Sequence, residues 1–375
     1  MKKIILAPDS FKGTLSAEEV CRIEREAIKK YLPEAELISL PMADGGEGMV
    51  NSFLRVLGGT RVEADVTGPL GEKLKAAYGI LPDGSAVMEM AAAAGLPLVR
   101  GREDPLHTTT RGVGELILDA ERRGIKKILL GLGGSCTNDC GAGMAGALGF
   151  RFYDSRGAEV EPAACNLEKI CCIAEPERMP DVEICAACDV SNPLSGPNGA
   201  VYTFSAQKGA DREMQEILER GVCHFERVLE EKYGTGCAKA PGTGAAGGMG
   251  AGVLLMLKGE LKPGTELLLE AAKFDEELRN TCLVITGEGR IDWQSAAGKV
   301  PAGVGLRCKK AGVPCLALCG SIGRGAEALY DCGISAIFSA VKGPCSFEEI
   351  KKTAAADLGL LTESVIRTLL LYKME

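Results

Sequence analysis

The stretch Ile4-Ile5-Leu6-Ala7-Pro8-Asp9-Ser10-Phe11-Lys12-Gly13-Thr14-Leu15-Ser16-Ala17-Glu18-Glu19 decides the architecture. Its first four residues form a short, uninterrupted apolar run, the pattern of a strand covered on both faces. Ser16 and Glu19 form a capping-box signature, in which the serine oxygen accepts from the N3 amide and the glutamate reaches back. The predicted helix runs to about residue 32, where Pro33 stops it. Strand, polar loop and helix open a parallel α/β unit. The loop falls at the carboxyl end of the strand, where open α/β sheets bind ligands.

The same grammar continues outward. Residues 37–40 read as a second strand, and Met49–Leu57 as a helix ending at Gly58-Gly59. Near the other end, residues 283–286, 315–318 and 336–338 read as strands, with helices over 300–311 and 347–372. The middle has a different texture. Strands are expected over 61–66, 86–90 and 127–130 and a helix over 112–123, followed by several glycine-rich loops. No Ser- or Pro-rich linker and no internal repeat separates these parts. The expected division is residues 1–60 plus 281–375 as one domain and 61–280 as another.

Composition narrows the function. A chain of 375 residues with 46% hydrophobic and 25% charged residues is an ordinary globular protein of two or more domains, which excludes disordered and fibrous classes. Forty-three basic against fifty-one acidic residues leave a net charge of -8, and there is no basic run of five. Nucleic acid is therefore a poor partner, and an anionic substrate would need positive charge concentrated locally. Sixteen cysteines are roughly 4% of the chain, below the ~8–10% of a disulfide scaffold. The opening apolar run stops at Asp9, short of a signal-peptide core, and residues 245–257 are too few to span a membrane. These features lead us to expect a cytoplasmic protein with reduced thiols and no membrane partner.

Four loops combine glycine with charged or amide side chains. In the first, Asp9 could hold a metal or accept a proton and Lys12 could neutralise a phosphate or carboxylate, unless both merely serve a turn. In the second, Asp44 and Glu47 flank Gly45-Gly46, suiting a divalent cation, a substrate hydroxyl or a helix cap. The third, Gly131-Leu132-Gly133-Gly134-Ser135, follows a strand, and its successive amides suit an anion. The fourth gathers Glu288, Arg290 and Asp292 around glycines, with Lys299 downstream; such charges are costly to bury unless they pair or bind something. No P-loop motif is present. Gly242-Thr243-Gly244-Ala245-Ala246-Gly247 matches the dinucleotide fingerprint but lacks the preceding strand, so close helix packing explains it better. Cys136, Cys140, Cys185 and Cys188 have only loose zinc spacing and read as buried thiols.

Together these loops resemble the bacterial glycerate kinases of the type that phosphorylates the 2-hydroxyl. The resemblance covers essentially the whole chain. It rests on residues 7–14, 41–48, 131–143, 188–199 (Cys-Asp-Val-Ser-Asn-Pro-Leu-Ser-Gly-Pro-Asn-Gly), 207–210, 241–252 and 286–292 with Gly298-Lys299. Cys136, Cys140, Arg111 and residues 203–206 depart from the usual pattern and bear on substrate preference. The resemblance implies two α/β domains, one flavodoxin-like with a parallel sheet built from both chain ends. The other would be a restriction-endonuclease-like mixed-sheet domain from the middle, with the active site in the cleft between them. It further implies ATP and Mg²⁺ as cofactors and D-glycerate as acceptor. Lys12, Asp9, Asp44 and Asp189 are then expected in catalysis, with Glu288, Asp189 and Asp44 toward the metal. Gly133, Gly134, Ser135, Lys299 and Arg290 are expected at phosphates, and Asn192 and Ser10 at the substrate. A dinucleotide-dependent oxidoreductase and a non-catalytic sugar-acid binder are the alternatives. The partners expected are the small molecules ATP and D-glycerate and, as an assembly, a homodimer.

Overall fold

In the computed structural model, residues 3–42, 48–296 and 298–371 are described. The chain forms two compact units, Met1–Asp44 with Thr265–Glu375, and Gly45–Gly264. These limits differ from the expected 60 and 281 because the flanking helices belong to the neighbouring units. Met49–Leu57 packs on the middle unit's sheet, where Met49 touches Gly131 and Leu54 touches Gly79. Gly264–Ala271 packs on the terminal unit, where Thr265 meets Gly303 and Arg307 pairs with Glu266 and Glu270.

In the terminal unit, strands Lys3–Pro8, Glu36–Ser39, Thr281–Gly287, Cys315–Cys319 and Ala336–Ser339 form a parallel sheet. Counted within the unit, the strand order is 2-1-3-4-5, that of a flavodoxin-like sheet. Alternate residues explain the layering. Ile4, Leu6, Leu283, Ile285, Leu316 and Leu318 face a core closed by Ala17–Lys29 and Phe347–Leu371. Ile5, Val284 and Ala317 are also buried, and Val300–Ala311 packs against the sheet. Two covered faces explain why these strands read as continuous apolar runs.

The predicted capping box is formed. Glu19 N–H donates to Ser16 Oγ at 3.2 Å, and Ser16 N–H donates to the Glu19 carboxylate at 2.8 Å. The helix ends at Lys29, earlier than expected, because the Tyr31 and Leu32 amides both donate to the Ile28 carbonyl and close a turn. On this helix Glu24 is wholly buried, and neither carboxylate oxygen has a hydrogen-bond partner among the described residues. Burial pushes its carboxyl well above the usual range. The folded state therefore binds this proton more tightly than the unfolded state does. At low pH, where both states are protonated, the group imposes no ionisation penalty. As pH rises through the ordinary carboxylate range, stability is lost until the folded carboxyl ionises, with a limiting slope of ~1.4 kcal/mol per pH unit. Glu24→Gln should accordingly raise the thermal midpoint at pH 7 and change it little at pH 4, as read by calorimetry at both values.

In the middle unit, Thr60–Thr67, Lys73–Ile80, Ala86–Glu89, Lys127–Gly131, Glu183–Ala187 and Glu260–Lys262 form a mixed sheet in chain order. The first three are antiparallel neighbours and the last four parallel ones. One core lies between this sheet and the helix Arg111–Arg122. A second lies under the helix Arg212–Tyr233, where the Phe152 and Phe225 ring centroids are 6.2 Å apart. Among the described residues no helix is long and apolar enough to cross a membrane.

Candidate active site

The switch point of a 2-1-3-4-5 sheet lies between its first and third strands, where the chain leaves in opposite directions and a crevice opens. Here the loops after Lys3–Pro8 and Thr281–Gly287 meet there, and a pocket of about 420 Å³ lies over them. Its polar wall carries Ser10, Lys12, Glu288, Arg290, Asp292 and Lys299. The two loops touch backbone to backbone: a Cβ on Gly289 would lie 3.1 Å from Phe11 Cα, so a larger residue there would push the loops apart by a few tenths of an ångström. Asp9 is not in that wall. It is buried beneath the loop, its amide donating to the Gly287 carbonyl at 2.8 Å and its Oδ1 accepting from the Ser10 amide at 2.6 Å.

The pocket's lining sets three cations, Lys12, Arg290 and Lys299, against three carboxylates, Glu288, Asp292 and Asp357. Lys299 is the N-cap of Val300–Ala311, so its ammonium and the helix's positive end add. Lys299 Nζ lies 3.6 Å from Glu288 Oε2, and Arg290 Nε lies 3.5 Å from Asp292 Oδ2. Glu288 is 7% exposed, and its Oε1 has no hydrogen-bond partner among the described residues. Burial pushes its carboxyl up, while Ser295 and Lys299 pull it back in part. That oxygen keeps acceptor capacity on a wall it shares with Lys12, Arg290 and Lys299.

The middle unit has its own pocket, of about 280 Å³, at the carboxyl ends of its parallel strands. Gly133, Gly134, Ser135 and Asp189 line it. The flanking Leu132 and Cys136 amides donate to the Ala187 and Ala94 carbonyls, at 3.4 and 3.0 Å. Among the described residues the Gly133, Gly134 and Ser135 amides have no backbone acceptor, as an anion cradle requires. Asp189 is exposed, and its Oδ1 accepts from the Gly264 amide at 3.0 Å. Asn192 serves its own loop: its side-chain amide donates to the Asn198 carbonyl at 2.7 Å and to Thr203 Oγ1 at 3.4 Å. Asp44 lies outside the described residues.

Two residues escaped the sequence-based assignment. Lys208 is 1% exposed, and its Nζ donates to the Thr137 carbonyl at 2.6 Å, beneath the glycine loop. Burial lowers its ammonium to about 8. Asp139 is wholly buried and accepts from the Thr110 amide and hydroxyl, both at 2.8 Å, and from the Gly141 and Gly143 amides. Together they clamp the loop from below. The Gln207-Lys208-Gly209 match was visible in the sequence, but its burial was not. The glycines of 242–247 serve packing: a Cβ on Gly244 would lie 2.1 Å from the Pro193 carbonyl oxygen, and one on Gly247 1.9 Å from that of Thr137. No strand precedes them, so the dinucleotide alternative has no support here.

Such a fold, with cationic and amide-lined pockets at strand ends, defines an α/β enzyme built to handle anions. The profile of the Glycerate kinase family matches residues 4–370. A glycerate kinase of Bacillus subtilis is 45% identical over 94% of both chains, and glycerate 2-kinase of Escherichia coli is 42% identical over 98% of both. A crystal structure assigned as glycerate kinase 2, from Salmonella typhimurium LT2, superposes with a TM-score of 0.83 at 38% identity and covers 100% of both chains. The chain belongs to the glycerate kinase family and is a kinase.

Proposed function

We propose that the chain transfers the γ-phosphoryl group of Mg·ATP to the 2-hydroxyl of D-glycerate, giving 2-phosphoglycerate and ADP. The carrying observation is the switch-point pocket, where Lys12, Arg290 and Lys299 share a wall with the buried Glu288 carboxylate, whose Oε1 has no hydrogen-bond partner among the described residues. The name glycerate 2-kinase of the Escherichia coli relative supports the regiochemistry.

In this reading Lys12, Arg290 and Lys299 hold the phosphate chain, and Ser10 donates from the same wall. The Gly133, Gly134 and Ser135 amides cradle a phosphate oxygen, with Lys208 and Asp139 fixing the loop. Phosphoryl transfer asks a protein mainly for positioning and charge neutralisation, and these residues supply both. Asp189 orients the glycerate hydroxyl and takes its proton as the oxygen bonds to phosphorus and the bond to ADP breaks. Asp9 acts indirectly, by shaping the loop that carries Lys12.

The residues also fit Mg²⁺, which prefers one or two carboxylates plus phosphate oxygens. Glu288, with its unpartnered oxygen, and Asp292 on the same wall would hold it. When bound, the ion would neutralise charge on the transferring phosphates.

The test is to mix the chain with Mg·ATP and D-glycerate and follow ADP release and phosphorus NMR. Equimolar ADP and a phosphoglycerate are expected, with the phosphorus split into a doublet by the lone proton on C2. A triplet from the C3 methylene overturns the regiochemistry. Absence of ADP overturns the reaction.

A further inference from the structure

The switch-point pocket has a second wall of different character. Phe347, Ile350, Ala354 and Asp357 line it from the helix Phe347–Leu371, joined by Ala340 and Val341. Their spacing of three, four and three residues keeps them on one helix face. Phe347 is 51% exposed, a large aromatic surface left open beside a cationic loop. The two walls are continuous, because Phe347 touches the turn carrying Lys12: a Cβ on Gly13 would lie 2.9 Å from Phe347 Cζ. Lys351 Nζ lies 5.0 Å from the Phe347 ring centroid, so a cation already engages its π-system.

A pocket with cations at one end, a flat aromatic and small aliphatic side chains at the other, and a carboxylate beyond them matches a nucleotide from tail to base. We propose that the apolar wall of Phe347, Ile350 and Ala354 receives the adenine ring of the phosphoryl donor, with Phe347 stacking on it. Asp357 lines the same wall and already accepts from Lys342 Nζ at 2.6 Å. It offers further acceptor capacity to the exocyclic amine of adenine. A volume of about 420 Å³ lies within the range of small-molecule sites. This assignment rests on the reading of the chain as an ATP-dependent kinase and names the part of the donor that the reaction itself does not touch.

The test compares ATP with inorganic tripolyphosphate, which has the tail without the base, by calorimetric titration. Wild type should bind ATP at least tenfold more tightly than tripolyphosphate. Phe347→Ala should remove most of that preference while leaving tripolyphosphate affinity within twofold, and Phe347→Trp should keep it. In turnover, Phe347→Ala should raise KM for ATP with kcat nearly unchanged, because the base is remote from the transferred group. An unaltered ATP-to-tripolyphosphate ratio in Phe347→Ala overturns the base site. Binding of neither ligand by wild type sinks both this assignment and the kinase reading. ATP binding that depends on Phe347 without transfer to glycerate sinks the glycerate reaction alone and supports the base site.

Discussion

Lys12→Met lowers kcat with Mg·ATP and D-glycerate by about 100-fold or more, equivalent to roughly 2.7 kcal/mol of lost transition-state stabilisation. Lys12 is exposed on the loop after the first strand and belongs to the cationic wall of the switch-point pocket. A charge there is screened by water until a polyphosphate displaces it. At about 4 Å and an effective dielectric near 20 the attraction reaches ~4 kcal/mol, enough to carry the expected loss. Methionine keeps the aliphatic stem and removes the charge, so the thermal midpoint should stay within a degree or two. Steady-state kinetics and a melting curve check both halves. A kcat within threefold of wild type would remove Lys12 from the reaction.

Asp189→Asn should be more damaging still, on the order of 1,000-fold in kcat, the scale of losing a positioned proton acceptor. Asparagine has the same outline, and its amide oxygen can still accept from the Gly264 amide, which Asp189 Oδ1 now does at 3.0 Å. The local backbone should therefore survive, and what disappears is negative charge and basicity. Unchanged ATP binding by titration, set against collapsed turnover, would separate this role from one in holding the nucleotide. Turnover within threefold of wild type would dismiss Asp189 as the acceptor of the hydroxyl proton.

Legibility followed the range of the forces involved. The strands at 283–286 and 315–318 and the helices Met49–Leu57 and Val300–Ala311 are set by local pattern and caps, and they stand where the sequence places them, to within a residue or two at the ends. The strand Lys73–Ile80 is harder to read because Lys73, Lys75, Ala76 and Ala77 in its opening five positions carry little β signal, and pairing with Thr60–Thr67 holds it in the sheet. The helix Arg212–Tyr233 hides because Gly221 and a dense run of charges interrupt its apolar stripe, while Leu218, Val222, Phe225 and Leu229 face the core. At the site, the loops were visible as glycine-and-charge clusters. Their internal division was not. That Asp9 lies beneath its loop, that Asn192 closes its own, and that Lys208 grips a carbonyl 71 residues away are tertiary facts. The unpartnered oxygen of Glu288 likewise depends on what surrounds it, which no spacing rule encodes.

The parallel pairing of Lys3–Pro8 with Thr281–Gly287 has a consequence for biosynthesis. Thr286 Oγ1 donates to the Ala7 carbonyl across 279 positions of chain. A ribosome adding about 5–20 residues per second needs roughly 14–60 s to reach the second strand after the first has emerged. Throughout that interval Ile4, Ile5 and Leu6 have no sheet partner on their longer flank, while the intervening unit can complete its own sheet. The strand Lys3–Pro8 can pair early with Glu36–Ser39, but its other edge must stay soluble until the whole intervening unit has been made.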